Sequence, residues 1–477
     1  MTGGIHVKEK DSFIERESGL HRGLSKNQLT MIGLGGAIGT GLFMGSAIAI
    51  NYAGPAVILS YVIAAFIAVI MMFSLSEMAV AHPTAGSFGV YAEKYLGGWA
   101  GFTSRWTYWA AQVIAVGGEA VAVGIYMTYW FPDIPVWVWT LGFGAALIFV
   151  NSRSVENFGS IEYWFAMIKV VAIIAFIIFG MAVVLGIGTP AVGFENFTKH
   201  DGFLPHGFGG VWMAVLMAIF SFVGVEVIAV TAGEAKDPRS AVPRAMRTMV
   251  VRLIVFYFLA MGIMIAVVPW INAGAKEIAQ SPFVLVFNHV GISAAAGIMN
   301  FVVLTAALSS MNTNLYMTSR MMFSLSRSRY APQALGKLNK DGTPVNALLL
   351  SSVGVALAAL ISKISPLAYN YLFGIALFGA LFVWLLTLLA HLRFRKQWEQ
   401  GGGERLPVRA PLFPVLQIVG IVLIAAILIT MGLDTEFWNV SWIIGVPWLA
   451  FLTLIYYAKY RKKLSHEKED RSGKTAS

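Results

Sequence analysis

The sequence has no cysteine among its 477 residues and few charged residues, which make up only 12% of the chain. Without cysteine the protein cannot form disulfides, thiolate metal sites, iron–sulfur clusters or a cysteine nucleophile. A soluble protein carries about 25% charged residues, so about half of the usual solvating charge is missing. Hydrophobic residues make up 57% of the chain instead. The composition therefore excludes a soluble multidomain protein and predicts an all-α polytopic membrane protein.

The sequence also lacks the motifs that are typical of enzymes and ATP-driven pumps. It contains no His-Glu-x-x-His and no Gly-x-Ser-x-Gly, and its histidines are scattered without metal-ligand spacing. Gly473-Lys474-Thr475 is similar to the end of a P-loop, but Lys468 stands where the first glycine belongs. We therefore expect no enzymatic activity, no cofactor and no metal site.

Apolar segments long enough to cross a membrane recur along the chain, since a spanning helix needs about 20 apolar residues. We predict twelve such helices within residues 29–460, between polar tails at 1–28 and 461–477. The predicted spans lie at about 30–50, 55–79, 100–129, 135–150, 162–187, 210–232, 248–270, 291–320, 344–362, 367–392, 412–432 and 440–460.

The net charge of +10 is distributed unevenly over the loops. If the amino terminus is cytoplasmic, the outward connections contain only three basic residues, Lys199, Lys276 and Lys363. Basic residues collect in cytoplasmic loops, so this pattern predicts a multi-pass protein of the cell membrane with both termini inside. Nucleic-acid binding is not indicated, because no basic stretch interleaves with aromatic residues.

Glycine interrupts two of the predicted spans. The first has five glycines in nine residues, from Gly33 to Gly41, and the sixth has Gly224 close to Glu226. A backbone that leaves its helix is tolerated in a membrane only where it lines a cavity. Glycine also allows close helix packing, but two interruptions in corresponding positions favour broken helices in inverted repeats. The repeats would cover about 30–187 and 210–392, with two peripheral helices at about 412–460.

Three ionisable residues within the predicted spans stand out, namely Glu119 in the third, Lys169 in the fifth and Glu226 beside the glycine of the sixth. Charges are costly in a membrane, so each of the three is a candidate functional residue, and each is a candidate for the proton-coupling group. For the two carboxylates, a structural hydrogen bond to nearby backbone explains the position equally well. A buried ammonium must find a carboxylate or a cage of carbonyls, or lose its proton, and this property suits a proton-coupling group.

Several motifs, in their order along the chain, resemble those of the bacterial amino acid transporter family of permeases, which belongs to the amino acid–polyamine–organocation superfamily. The resemblance covers about residues 20 to 460. The motifs are Arg22-Gly-Leu, Ile32-Gly-Leu-Gly-Gly-Ala-Ile-Gly-Thr-Gly-Leu-Phe43, Ser76-Glu-Met-Ala-Val-Ala-His-Pro-Thr-Ala-Gly-Ser-Phe88, Phe158-Gly-Ser-Ile-Glu-Tyr-Trp-Phe-Ala-Met-Ile-Lys169, Thr231-Ala-Gly-Glu-Ala-Lys-Asp-Pro238, Ser281-Pro-Phe-Val-Leu-Val-Phe287 and Asn300-Phe-Val-Val-Leu-Thr-Ala-Ala-Leu-Ser309.

The resemblance implies a leucine-transporter fold of 5+5 inverted repeats with broken helices 1 and 6, and proton-coupled uptake of an amino acid. It also implies roles for individual residues. Lys169 matches a lysine that occupies a sodium position in proton-coupled relatives, and Phe220 matches an aromatic gate. The residues that match the substrate site are Gly39, Thr40 and Gly41 for the carboxylate and the carbonyls of Ala37, Phe220 and Val223 for the ammonium, with Gly224 in the same break.

The expected walls of the pocket are mostly apolar or small, which disfavours a charged substrate side chain because its desolvation is costly. These walls are Phe220, Phe222, Ala111 and Asn312, with Gln112 and Glu119 as polar exceptions. We therefore expect a neutral aliphatic or aromatic L-amino acid, with a coupled proton and the lipid bilayer as further partners. One alternative is a permease for lysine or arginine, whose side chain would pair with Glu119. Another is an amino acid sensor that keeps the transporter fold.

Overall fold

A computed structural model of the chain describes residues 19–43, 45–187, 190–273, 283, 293–365, 368–435 and 438–461. Most of both predicted tails, Lys276 and most of the 281–287 motif lie outside these residues. The described part is helical and contains no β-strand, apart from one isolated parallel bridge between Leu24 and Ala235. The prediction of an all-α protein is therefore confirmed.

The α-helices in chain order are α1 Lys26–Ala37, α2 Thr40–Phe43, α3 Gly45–Ala53, α4 Val57–Ala81, α5 Ser87–Leu96, α6 Gly98–Met127, α7 Val136–Asn151, α8 Val155–Leu185, α9 Gly207–Phe220, α10 Val227–Thr231, α11 Pro238–Val267, α12 Trp270–Ala273, α13 Ser293–Arg327, α14 Val345–Ser351, α15 Val353–Ile364, α16 Ala368–Gln400, α17 Val415–Leu433 and α18 Val440–Ile455.

Polar residues at the helix ends explain where several helices begin and end. Ser25 precedes α1, where its hydroxyl accepts from the Gln28 N–H at 3.3 Å and its own N–H donates to the Gln28 side chain at 3.0 Å. This reciprocal arrangement is a capping box. Ser154 similarly accepts from the Asn157 N–H at the start of α8, and the helix ends at Gly186, whose φ is +78°. Glycine adopts this left-handed conformation without the strain that a β-carbon would add.

Eight helical segments among the described residues are long and apolar enough to cross a membrane, and α7 and α9 are shorter apolar helices. One of the eight, Thr40–Ala81, runs through the first and second predicted spans. The chain is thus a polytopic membrane protein, and the number of twelve crossings stays a prediction. Helix α13 is not among the eight. Its middle holds a buried polar run, Ser309, Ser310, Asn312, Thr313 and Asn314.

Both glycine-rich spans are interrupted at the predicted places. Helix α1 ends at Ala37 and α2 begins at Thr40, while α9 ends at Phe220 and α10 begins at Val227. Gly224, with φ of +104°, lies in the second gap, and a β-carbon there would collide with the carbonyl of Gly36 in α1. The two gaps therefore contact each other closely because a glycine is present. The inverted-repeat relation between the two halves remains a prediction.

The outer surface and the interior of the bundle differ in polarity as expected for a protein in lipid. Helices α17 and α18 expose large apolar side chains, for example Ile443 at 66% and Leu454 at 70%. Contiguous exposed apolar surface of this kind marks a membrane contact. Charged residues such as Glu119 and Lys169 are instead buried inside the bundle.

Candidate functional site

The two helix breaks are joined by one tyrosine. The hydroxyl of Tyr257, in α11, lies 2.9 Å from the carbonyl oxygen of Ala37 and 2.6 Å from that of Ser221. The side chain is fully buried, and its single O–H is shared between two backbone carbonyls at the ends of the interrupted helices. Tyr257 therefore holds the α1–α2 break against the α9–α10 break.

A small cavity of about 20 Å³ lies beside these breaks. It is lined by five of the residues predicted to bind substrate and by side chains of α6 and α13. The five are Ala37, Gly39, Gly41, Phe220 and Val223, and the others include Gln112, Ala115, Glu119, Ser310 and Asn314. The cavity between the breaks and α6 is thus lined by backbone atoms of the breaks and by the Glu119 carboxylate.

A second, more apolar cavity of about 10 Å³ adjoins the first and shares Ala115, Glu119 and Phe220 with it. Its other lining residues are Thr40, Gly118, Tyr369, Leu372 and Phe373. Phe220 lies between the two cavities, with its ring centroid 3.6 Å from that of Phe373. Thr40, the sixth predicted substrate residue, accepts a hydrogen bond from the Tyr369 hydroxyl at 3.1 Å.

Four predicted residues lie away from both cavities. Gly224 packs against Gly36, and Phe222 packs against Tyr257 with ring centroids 4.8 Å apart. Ala111 and Asn312 also line neither cavity. For Asn312 the reason is helical geometry: Ser310 and Asn314 are about one turn apart and share a face, whereas Asn312 lies on the opposite face. The expectation that Asn312, Ala111 and Phe222 form the walls is corrected accordingly.

Glu119 presents an unused acceptor to the cavity. Its Oε1 accepts from the Ser310 hydroxyl at 2.8 Å, whereas its Oε2 has no hydrogen-bond partner among the described residues. Gln112 lines the same cavity, and its Oε1 atom also has no hydrogen-bond partner in the described part of the chain. Buried polar atoms are almost always paired, so two orphan acceptors favour a ligand that supplies donors.

Lys169 does not line either cavity but lies behind the first break. Its Nζ donates to the carbonyls of Gly35 at 2.6 Å and Ile38 at 2.8 Å, and to the Ser309 hydroxyl at 2.7 Å. These three bonds use all three donors of an ammonium group. The residue is fully buried. Two carbonyls and a hydroxyl therefore surround the ammonium. This is the carbonyl cage that a buried lysine needs if it keeps its proton.

Glu162, which the sequence interpretation did not single out, is connected to Lys169. Its Oε1 accepts from the Ser309 hydroxyl, and its Oε2 accepts from Asn312 Nδ2 at 2.9 Å. The predicted fifth span begins at Glu162, but α8 begins at Val155, so this carboxylate lies inside the helix. The sequence spacing could have revealed Glu162. It precedes Lys169 by seven residues, which is about two helical turns, so both side chains lie on the same face of α8.

Glu226 holds the second break in shape and does not line the cavities. Tyr108 donates its hydroxyl to Glu226 Oε1 at 2.9 Å, and the N–H of Gly224 donates to Oε2 at 3.0 Å. Both carboxylate oxygens are therefore satisfied by α6 and by the break itself. The structural explanation stated for Glu226 fits this arrangement.

A second group of contacts ties together the segments on the predicted cytoplasmic side. Glu234 is buried and receives hydrogen bonds from Arg320 at 2.8 Å and from the Tyr316 hydroxyl at 2.7 Å. The N–H of Leu24 donates to the Glu234 carbonyl at 3.2 Å. Outside the bundle, the Ser240 hydroxyl and the charge of Lys26 hold the pKa of Asp237 below its usual value. The segment before α1, the end of α10 and α13 are thus linked.

Comparison with known proteins gives a consistent result. The family model described as "Amino acid permease" matches residues 28–469. The chain is 41% identical over 443 residues to the aromatic amino acid transport protein AroP of Escherichia coli (strain K12), covering 92% of this chain and 96% of that protein. It is 40% identical over 457 residues to the gamma-aminobutyric acid permease of Bacillus subtilis (strain 168), covering 95% and 96%. It is also 40% identical over 449 residues to YtnA of the same organism, an uncharacterized amino acid permease, covering 93% and 96%. All three relatives are named as transporters and not as enzymes.

Proposed function

The chain belongs to the amino acid permease family, and from this membership we propose that it is a secondary active permease that takes up a neutral amino acid together with a proton. The fold would be the 5+5 inverted repeat, working by alternating access in the cell membrane with both termini cytoplasmic. The observation that carries the proposal is the cavity between the two helix breaks, with an apolar extension on one side.

The backbone of the first break supports a binding site for the substrate carboxylate. Gly39 and Gly41 line the cavity without side chains, so the carboxylate can approach the main chain closely. There is no room for a larger residue. A β-carbon on Gly41 would lie 2.9 Å from Phe220 Cδ1, and one on Gly39 would lie 2.7 Å from Ser310 Oγ.

The acceptors around the cavity support a site for the substrate ammonium. The carbonyls of Ala37, Phe220 and Val223 belong to residues that line the cavity, and a carbonyl oxygen can accept two hydrogen bonds. Glu119, whose Oε2 has no hydrogen-bond partner among the described residues, adds a carboxylate to the same cavity. A buried ammonium needs such a compensating charge, because burying it alone is costly.

The second cavity supports a neutral side chain with a preference for aromatic ones. Its walls include Phe220, Tyr369, Leu372 and Phe373, and aromatic rings pack well against such surfaces. The relative AroP is named as an aromatic amino acid transport protein, which agrees with this preference. Phe220, between the two cavities, is placed to act as a gate over the bound substrate.

Lys169 supports coupling to protons rather than to sodium. Its ammonium is held by the carbonyls of Gly35 and Ile38, oxygen atoms of the kind that would otherwise bind a metal cation. A lysine amine can bind a proton and the resulting ammonium can release it, and the ammonium form excludes a second cation from the same space. Proton binding and release at Lys169 would then change how firmly the first break is held.

A cationic amino acid is the second candidate, because one observation favours it. The free Oε2 of Glu119 borders the second cavity, where a lysine or arginine side chain could pair with it. In the neutral-substrate proposal the same oxygen binds the α-ammonium group of the substrate. In the cationic proposal it binds the charged side chain of the substrate instead.

The test is competition against uptake by the purified protein in liposomes, with phenylalanine, leucine, alanine, lysine, arginine and gamma-aminobutyric acid as competitors. We expect phenylalanine to compete best. The Glu119→Gln variant should weaken the apparent affinity for all substrates about tenfold, since a hydrogen bond to a charged group contributes about 1.5–3 kcal/mol. The order of preference should stay the same.

The neutral-substrate proposal fails on a specific pattern. If lysine or arginine competes better than phenylalanine, leucine and alanine, and Glu119→Gln removes that preference, Glu119 recognises the side chain and the substrate is cationic.

A further inference from the structure

A chain of buried polar groups leads away from Lys169 along α8, on the side opposite the cavities. It begins with the bond from Lys169 Nζ to Ser309 Oγ, at 2.7 Å, and continues with the bond from Ser309 to Glu162 Oε1. Asn312 then donates to Glu162 Oε2 at 2.9 Å, and Asn151 donates to Asn312 Oδ1 at 2.7 Å. Three helices, α7, α8 and α13, contribute to this chain.

The bonds along this chain fit an ionised lysine and an ionised glutamate. Ser309 accepts from the lysine and donates to the carboxylate, so its hydroxyl is oriented in one direction. Both oxygens of Glu162 accept hydrogen bonds, as an ionised carboxylate does. The arrangement is therefore a lysine ammonium and a carboxylate joined through one hydroxyl.

Glu162 is suited to act on Lys169 and not on a substrate. It is fully buried and lines neither cavity. The charged groups that act on Lys169 are Glu162 and Glu119. Glu119 faces the cavity and is bonded to Ser310. Among the described residues, Glu162 is thus the carboxylate that hydrogen bonds connect to the lysine.

We propose that Glu162 is the proton acceptor of Lys169, with Ser309 as the relay between them. A proton of the Lys169 ammonium moves to Ser309 Oγ while the Ser309 hydroxyl proton moves to Glu162 Oε1. One N–H bond and one O–H bond break, and one O–H bond forms on each of Ser309 and Glu162. The products are a neutral amine and a neutral carboxylic acid.

This transfer has two consequences for the cycle. The neutral amine binds the carbonyls of Gly35 and Ile38 without charge assistance, which about halves the strength of such bonds and loosens the first break. The proton also leaves the lysine for a carboxylate that lines neither cavity, across two hydrogen bonds of which the first is 2.7 Å long. The inference rests on the proposed function, because it assigns Glu162 a place in proton-coupled uptake.

The test is the Glu162→Gln variant in proteoliposomes, with two readouts. One is accumulation driven by a pH gradient, and the other is exchange of labelled for unlabelled substrate without a gradient, measured across pH. We expect Glu162→Gln to keep exchange and to lose its pH dependence, while gradient-driven accumulation falls to the level seen without a gradient. Glu162→Asp, which can still take a proton, should recover part of the accumulation.

The control variant is Glu156→Gln, which removes an exposed carboxylate near the start of the same helix and should behave as the wild type. Wild-type accumulation by Glu162→Gln would overturn the inference while leaving the proposed function intact. Equal loss of exchange and accumulation in both Glu162 variants would also overturn it, because that result indicates a structural role. If the wild type itself ignores a pH gradient, the proposed function fails, and this inference fails with it.

Discussion

Lys169, Glu119 and Glu226 are all buried charges of the bundle interior, yet each contacts a different part of the site. Lys169 bonds to the back of the first break, Glu119 faces the cavities, and Glu226 is satisfied by Tyr108 and by the second break. The sequence shows all three only as ionisable residues in apolar segments, whereas the structure places them in three different environments. We therefore propose proton coupling for Lys169, substrate contact for Glu119 and a structural role for Glu226.

The assignment for Lys169 predicts the behaviour of two variants. Lys169→Ala should abolish accumulation driven by a pH gradient, because the group that carries the proton is gone. Lys169→Arg should also accumulate little, because a guanidinium does not release its proton at ordinary pH. Uptake under an imposed pH gradient measures both, with Lys199→Ala as a control at a lysine whose side chain is 56% exposed. Wild-type accumulation by either Lys169 variant would move the coupling role to another carboxylate or lysine.

Single residues of the site differ in how far the sequence reveals them. Lys169 could be predicted because a lone lysine among apolar residues is conspicuous, and the glycines because they are dense. Glu162 was missed because hydropathy detects only the apolar part of a helix, and α8 begins seven residues before the predicted span. The orientation of Asn312 away from the cavities depends on how α13 is rotated, which composition does not determine.

At the scale of elements, the site consists of two short gaps held in contact. The gaps at 38–39 and 221–226 remove the helical partners of several backbone groups. The single O–H of Tyr257 is shared between a carbonyl at each gap, and Lys169 supplies donors to the first gap. Neither partner adjoins a gap in sequence, since α8 and α11 bring them in from elsewhere. The gaps are thus stable because neighbouring helices replace the missing hydrogen bonds.

This arrangement predicts that the first break does not tolerate a side chain at Gly41. A β-carbon there would lie 2.9 Å from Phe220 Cδ1 and 3.0 Å from the backbone of Ser221, so valine must displace the second break. We expect Gly41→Val to insert into the membrane normally but to lose substrate binding. Scintillation proximity binding of labelled substrate to purified protein measures this effect.

A matched control is Gly142→Val, which makes the same change in α7 at an exposed glycine with no atom within 4 Å of the added β-carbon. It should bind substrate as the wild type does. Normal binding by Gly41→Val would show that the carboxylate site lies elsewhere.

The positions of the elements were predictable to different degrees. Both breaks coincide with glycine-rich stretches, because glycine lowers the cost of leaving a helix. Helix α11 was predicted to begin near residue 248 but begins at Pro238, and α13 runs to Arg327 instead of 320. In both cases the helix continues through a basic segment beyond its apolar part. Hydropathy therefore located the helices but not their polar ends.

At the scale of the whole molecule, alternating access requires the cavity to open toward one side at a time. On the predicted cytoplasmic side, Glu234 joins α10 to Arg320 of α13 and to the backbone of Leu24. Glu77 of α4 is buried beside Arg395 and His391 of α16, and accepts from the N–H of Ala410 at 2.9 Å. Opening to this side must break contacts of this kind, and we propose that they close the cytoplasmic path.

The central claim is that an inward proton gradient drives uptake of a neutral amino acid through this cavity. The most direct measurement is accumulation of labelled phenylalanine by proteoliposomes of the purified protein, under an imposed pH gradient or an imposed sodium gradient. The account predicts accumulation when the outside is acidic, with sodium having no effect. Strict dependence on sodium, with no response to the pH gradient, would contradict it.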